Sequence, residues 1–214
     1  MEFEHVKPAD IERRSFEIIT QELKDNEIEI EERYAPIIKR AIHTSADFDY
    51  ADNLVFSEGV LEQAIAALKS GATIVTDTKM AWSGINKKVV QKLGGKVECF
   101  VADEEVASAA KEHGTTRSVA AVDKAFRDYD NLIYVVGNAP TALIRIREIM
   151  DETGKKPALV VGVPVGFVNV VPSKELIINS DVPHIVARGR KGGSNVAAAI
   201  MNALLYMIDE TRGM

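Results

Sequence analysis

From residue 58 onward the chain alternates between two periodicities, and no other feature constrains its fold as tightly. Short runs rich in β-branched and apolar residues at 72–76, 96–101, 132–136, 158–161 and 184–187 read as strands. Between them lie 61–69, 87–93, 104–113, 117–129, 141–152 and 174–178, which read as helices, and a last helix follows Gly193 over 196–208. Strands that are apolar on both faces need cover on both sides, as in parallel sheets. Crossovers between parallel strands are nearly always right-handed. The alternation therefore predicts a three-layer, doubly wound α/β fold around a mostly parallel five-stranded sheet.

The N-terminal part reads differently. Ile11, Phe16, Ile18, Ile19 and Leu23 lie near helical spacing behind Pro8-Ala9-Asp10, and Tyr34, Ile37, Ile38, Ala41 and Ile42 mark a second helix over 29–43. Pro36 either marks the first turn of that helix or bends it. No Pro- or Ser-rich linker, low-complexity block or repeat interrupts the chain. The expectation is one domain over 1–214, with a helical extension, 1–57, packed on an α/β core, 58–214.

Composition removes several function classes. With 46% apolar and 27% charged residues the chain can build a core, which a disordered chain cannot. A single cysteine, Cys99, excludes an internal disulfide framework and a zinc site of cysteine pairs. The balance of 26 basic against 32 acidic residues, net −6, argues against nucleic acid as the partner. No apolar run reaches the roughly eighteen residues that cross a bilayer, and the first residues lack the pattern of a secretory signal. A cytoplasmic setting without membrane contact is expected.

In doubly wound sheets ligands bind beyond the carboxyl ends of the strands. Those ends lead into DTKMAWSGIN, GNAPTAL with Asn138, GVPVGFVNV, and RGRKGGSN with Arg188, Arg190, Lys191, Gly192, Gly193 and Ser194. Three of the four are rich in Gly or Pro and open a helix, where backbone amides favour anionic groups. Each glycine taken alone is equally explained by a tight turn. G-x-G-x-x-G, the P-loop and G-x-S-x-G are all absent. His5, His43, His113 and His184 lack ligand spacing, so no metal site is expected. Cys99 in KVECFVA reads as a small buried residue.

Two groups of residues remain. His43 stands near the end of the second helix, just before an acid-rich loop, and Arg40 shares its helix face. An imidazole, with a reference pKa of about 6.5, can both give and take a proton; a histidine at a helix end also serves simply to meet exposed carbonyls. The second group is cationic. Arg117 follows Thr115 and Thr116 at a helix start, and Arg188, Arg190 and Lys191 crowd one loop. On the rim of an acidic protein such cations suit a small polyanion, and guanidinium forks suit carboxylates in particular.

The segments ERRSFEII, KRAIHTSADFDYADNLVFS, IVTDTKMAWSGIN, HGTTRSVAAV, VVGNAPTAL, VVGVPVGFVNVVPSKE and ARGRKGGSNVAAAIMNAL, in that order, resemble the precorrin-8X methylmutase family over nearly the whole chain. The resemblance implies an isomerase of cobalamin biosynthesis. It would move a methyl group between adjacent carbons of ring C of a corrin precursor in a [1,5]-sigmatropic shift, with no separate cofactor. Its product is cobyrinate in the cobalt series and hydrogenobyrinate in the metal-free series; the forms HTSADFD and TDTKM look more like the cobalt branch. The family's catalytic histidine falls on His43, and substrate-binding positions fall on Ser15 and Arg40. Thr116, Arg117, Asn138, Arg188, Arg190, Gly192, Gly193 and Ser194 lie in segments matching those that line the family's cleft. The implied partners are a polycarboxylate tetrapyrrole substrate and, in a homodimer, a second copy. A non-catalytic carrier of corrin intermediates and a flavodoxin-like nucleotide-binding module are the competing readings.

Overall fold

One strand shows how the layers are built. In the computed structural model, which describes residues 4–209, Leu132–Val136 is a strand whose five side chains are all buried. Successive side chains point to opposite faces. Ile133 and Val135 enter one apolar core, while Leu132, Tyr134 and Val136 enter another on the far side of the sheet.

The strands are β1 (Leu54–Phe56), β2 (Thr73–Thr76), β3 (Lys96–Glu98), β4 (Leu132–Val136), β5 (Leu159–Gly162) and β6 (His184–Ala187), in the order β1-β6-β5-β4-β2-β3. All neighbours are parallel except β1, which runs antiparallel to β6 with Leu54 opposite Ala187. The five expected strands are present, and β1 is an addition from the segment expected to be helical. Three residues are too few to show alternation, and β1 is defined by its partner. The Arg188 amide donates to the Asn53 carbonyl and the Ser57 amide to the His184 carbonyl, extending the pairing at both ends. At β3 the strand stops short of the expected 101. Phe100 leaves the sheet to stack on Tyr129, with ring centroids 6.2 Å apart.

One face carries α1 (Ile11–Asp25), α2 (Ala35–Ser45), α3 (Tyr50–Asn53), α4 (Val60–Lys69), α5 (Lys79–Gly84), α6 (Lys87–Lys92) and α11 (Ser194–Ile208). The other carries α7 (Glu104–Glu112), α8 (Arg117–Asp128), α9 (Pro140–Thr153) and α10 (Val170–Ile178). Pro36 lies in the first turn of α2, where its missing N–H leaves no bond unmade. The N-terminal helices pack on the core, α2 lying along α11. Among the described residues no helix is long and apolar enough to cross a membrane.

The chain path locates the crevice. From β2 it moves outward to β3, then returns to β4 on the opposite side of β2. The switch point therefore falls between β2 and β4, whose carboxyl ends lead into Asp77-Thr78 and Gly137-Asn138-Ala139.

Candidate active site

The first residue beyond β2 is itself an anion, and the loop after β4 answers it. Asp77 is buried, and its carboxylate accepts the backbone N–H groups of Gly137 at 2.8 Å, Asn138 at 2.8 Å and Ala139 at 2.7 Å. These amides open α9, where the sequence suggests contacts to an anionic ligand; the protein's own carboxylate takes that place. Burial raises the Asp77 carboxyl above the ordinary aspartate range, and the three amides pull against that rise. Position 137 must be glycine, because a Cβ there would sit 2.7 Å from the Ser194 Cα. The Thr78 and Ser194 hydroxyls, 2.7 Å apart, complete the junction of β2, α9 and α11.

Beside Ser194 opens a cavity of about 370 Å³. α2 lines it with Arg40 and His43, one turn apart; α5 adds Met80 and Ser83, and α11 adds Asn202. Met80 is 67% exposed, an apolar surface at the cavity's edge. The His43 imidazole stacks on Phe16 of α1, centroids 5.4 Å apart and planes at 20°. Among the described residues no hydrogen bond reaches either of its ring nitrogens, which leaves both available to a ligand.

Arg40 is enclosed, its side chain 12% exposed. One nitrogen donates to Glu12 Oε1 at 2.7 Å, and the guanidinium lies 5.1 Å over the Phe16 ring and 4.9 Å over that of Tyr206. Among the described residues its buried Nε has no hydrogen-bond partner. An unpaired donor on a buried cation is costly, and an incoming anion would relieve that cost.

The other expected residues lie outside this cavity's lining. Ser15 on α1 donates its hydroxyl to the Ile11 carbonyl at 3.0 Å. Thr116 caps α8 by accepting the Val119 amide and lies 3.3 Å from the Thr141 hydroxyl. Arg117, exposed at the start of α8, belongs to the opposite layer from His43. Asn138 points an exposed side chain outward while its amide serves Asp77. Arg188 pairs with Glu175 at 3.0 Å, and the Arg190 guanidinium lies 5.3 Å over the Phe167 ring. At Gly192 a Cβ would collide with the Val163 carbonyl, and the Gly193 amide donates to that same oxygen at 2.8 Å. The cavity thus joins His43, Arg40 and Ser194, whereas Thr116, Arg117, Asn138, Arg188 and Arg190 stand outside its lining.

α5, with Met80 and Ser83, forms inside the segment DTKMAWSGIN that the sequence places as a post-strand loop; its local signal is Thr78, whose hydroxyl accepts the Ala81 amide as an N-cap. Outside the cavity, Lys174, expected simply as part of the 174–178 helix, is fully buried. Its ammonium donates to the Gly189 and Lys191 carbonyls, both at 2.8 Å, and burial lowers its pKa to about 8. Lys191 itself faces outward between Asp47 at 2.7 Å and Asp49 at 2.6 Å, which hold it charged well above the usual lysine range.

A family model described as CbiC, precorrin-8X methylmutase, matches residues 10–207, from the start of α1 into the last turn of α11. The chain belongs to the precorrin-8X methylmutase family. A cobalt-precorrin-8 methylmutase from Salmonella typhimurium is 48% identical over 95% of this chain and 97% of its own. A precorrin-8X methylmutase from Pseudomonas aeruginosa is 39% identical over 77% of this chain and 80% of its own. The crystal structure of precorrin-8X methylmutase from Thermus thermophilus superposes with a TM-score of 0.85 at 36% identity, covering 94% of this chain and 98% of that one. A methylmutase is an isomerase: the migrating group leaves and rejoins the same molecule. The methylmutase cavity fits such chemistry, since it offers an imidazole for proton transfer and a cation beside it.

Proposed function

We propose that this methylmutase converts cobalt-precorrin-8 to cobyrinate in cobalamin biosynthesis, with His43 as the proton donor and acceptor. The observation that carries the reading is the His43 imidazole, free of hydrogen bonds on both nitrogens among the described residues and lining a cavity beside the incompletely bonded Arg40. The imidazolium gives its proton to the macrocycle, and the protonated position, now carrying the charge, draws electron density toward itself. The methyl group then passes with its bonding pair from one ring-C carbon to its neighbour, and the proton returns to the imidazole. Nothing is gained or lost, as an isomerisation requires. A positioned general acid contributes roughly 10² to 10⁴ in rate.

The cavity of about 370 Å³ is at the low end of ligand pockets, which run from roughly 300 to 1,000 Å³. It suits one edge of the tetrapyrrole, the edge that carries ring C. The remaining rings and their carboxylates would lie over the rim, where Arg117, Arg188 and Arg190 are the candidate partners, with Ser15, Thr116, Asn138 and the 192–194 turn around them. The sequence forms HTSADFD and TDTKM and the 48% identity to a cobalt-precorrin-8 methylmutase favour the cobalt branch. A flavodoxin-like nucleotide site would need the amides after β4 for phosphate, and Asp77 already holds them. We take the chain as one domain, cytoplasmic and homodimeric. Phe167 and Val168, each 80% exposed, are apolar surface that a second copy would cover, and light scattering checks the mass.

The test is anaerobic single-turnover conversion of precorrin-8X and of its cobalt form, followed by the absorbance of the corrin chromophore. We expect turnover with preference for the cobalt form, and a loss of roughly two to four orders of magnitude in His43→Ala with binding retained. Equal rates in wild type and His43→Ala would remove His43 from the mechanism. Binding without turnover in wild type would make the protein a carrier.

A further inference from the structure

A proton donor must present one nitrogen to the reacting edge of its substrate, and histidines in such roles are commonly oriented by a hydrogen bond at the other nitrogen. His43 has no such bond among the described residues. What defines its ring is Phe16, at 5.4 Å between centroids and 20° between planes, within the range of about 4.5–7 Å where aromatic pairs attract.

Phe16 is itself held. The Arg40 guanidinium lies 5.1 Å over its ring, and Arg40 is tied by a 2.7 Å ion pair to Glu12, on the same helix as Phe16. Glu12 and Phe16 are four residues apart on α1, so they share a face, and Arg40 and His43 are three apart on α2. The two helices therefore meet in a clasp in which Glu12 takes Arg40 and Phe16 takes both Arg40 and His43. Tyr206 of α11, 4.9 Å from the Arg40 guanidinium, backs the assembly.

We propose that Phe16 is the positioning residue of His43, its ring fixing the plane and rotamer in which the imidazole meets the macrocycle. The kinetic consequence rests on the reading of His43 as proton donor; the ring placement is a property of the free protein. Because Arg40 keeps its ion pair with Glu12 and its place over Tyr206 when Phe16 is lost, that loss acts on the imidazole: it slows the chemical step and leaves affinity nearly unchanged. A residue that merely walled the cavity would change affinity instead.

The experiment compares wild type with Phe16→Leu, which keeps apolar bulk without a ring, and Phe16→Tyr, which restores the ring. The chain has four histidines, so the ring-proton resonances of His43 can be assigned by their absence in His43→Ala. We expect those resonances to carry a ring-current displacement that disappears in Phe16→Leu and returns in Phe16→Tyr. With corrin substrate, kcat should fall about 10- to 100-fold in Phe16→Leu with KM within about twofold, as expected for a misplaced catalytic group, and Phe16→Tyr should recover most of the loss. A displacement unchanged in Phe16→Leu overturns the proposal, as does a raised KM with unaltered kcat. Nuclear Overhauser contacts between the two rings in wild type decide the stack even where a variant fails to fold, and their absence overturns it. Should wild type turn over neither corrin substrate, the functional reading fails, while the resonance comparison still settles what orients His43.

Discussion

Lys174 shows how much one residue's surroundings alter its chemistry. Its ammonium is fully buried beneath the loop after β6, with the Gly189 and Lys191 carbonyls as its hydrogen-bond acceptors. Two neutral acceptors do not replace bulk water around a charge, so burial lowers its pKa from 10.5 to about 8. Between those two pH values the unfolded chain binds more protons than the native state, so this residue's contribution to stability rises with pH. Urea unfolding of wild type and Lys174→Met across that window should show wild type gaining on the variant, by on the order of 3 kcal/mol. A constant difference would mean that the ammonium keeps its water. The same two bonds tie α10 to the backbone that carries Arg188, Arg190 and Lys191, linking a buried residue to the rim.

Among the elements, the junction of β2, α9 and α11 is the firmest part of the site. Asp77 receives three amides that would otherwise be unpaired at the start of α9, while Thr78 reaches Ser194 at the start of α11. Asp77→Ala leaves three buried or half-buried donors without an acceptor. Its unfolding free energy should fall by about 3 kcal/mol or more, and added acetate or formate should restore part of the loss by entering the vacated anion position. A decrease below about 1 kcal/mol, with no response to carboxylate, would show that the amides find other partners. This junction also explains why α9 does not greet a ligand as its sequence suggests: an internal anion has already neutralised its helix start.

For the molecule as a whole, the cations are divided between layers. Arg40 and His43 come from α2 on one face of the sheet, and Arg117 from α8 on the other, at a helix start near the Thr141 end of α9. A substrate spanning both would bridge the carboxyl ends of the strands. Arg188 must release Glu175 to bind a carboxylate, whereas Arg117 has no bonded partner among the described residues. Arg117→Ala should therefore weaken corrin binding by about 1.5–3 kcal/mol, and Arg188→Ala by less, in equilibrium titrations read by chromophore absorbance. The reverse order would place the substrate on the β6 side of the rim alone.

What the chain determined by itself is whatever depends on near neighbours in sequence. Short apolar, β-branched runs at 132–136 and 184–187 marked β4 and β6 to the residue, and helical spacing marked α1, α2 and α8, because both signals are carried by residues adjacent in sequence regardless of the rest of the fold. The family motifs brought His43 and Arg40 forward for the same reason, being contiguous strings. Tertiary structure alone decided the rest. β1 exists through its pairing with β6, 133 residues away at Leu54 and Ala187. Asp77 meets amides 60 to 62 residues on, and Phe16 reaches His43 across two helices. Whether a loop amide is free for a ligand or already answered from within depends on which strand ends the fold sets side by side, and no local period records that.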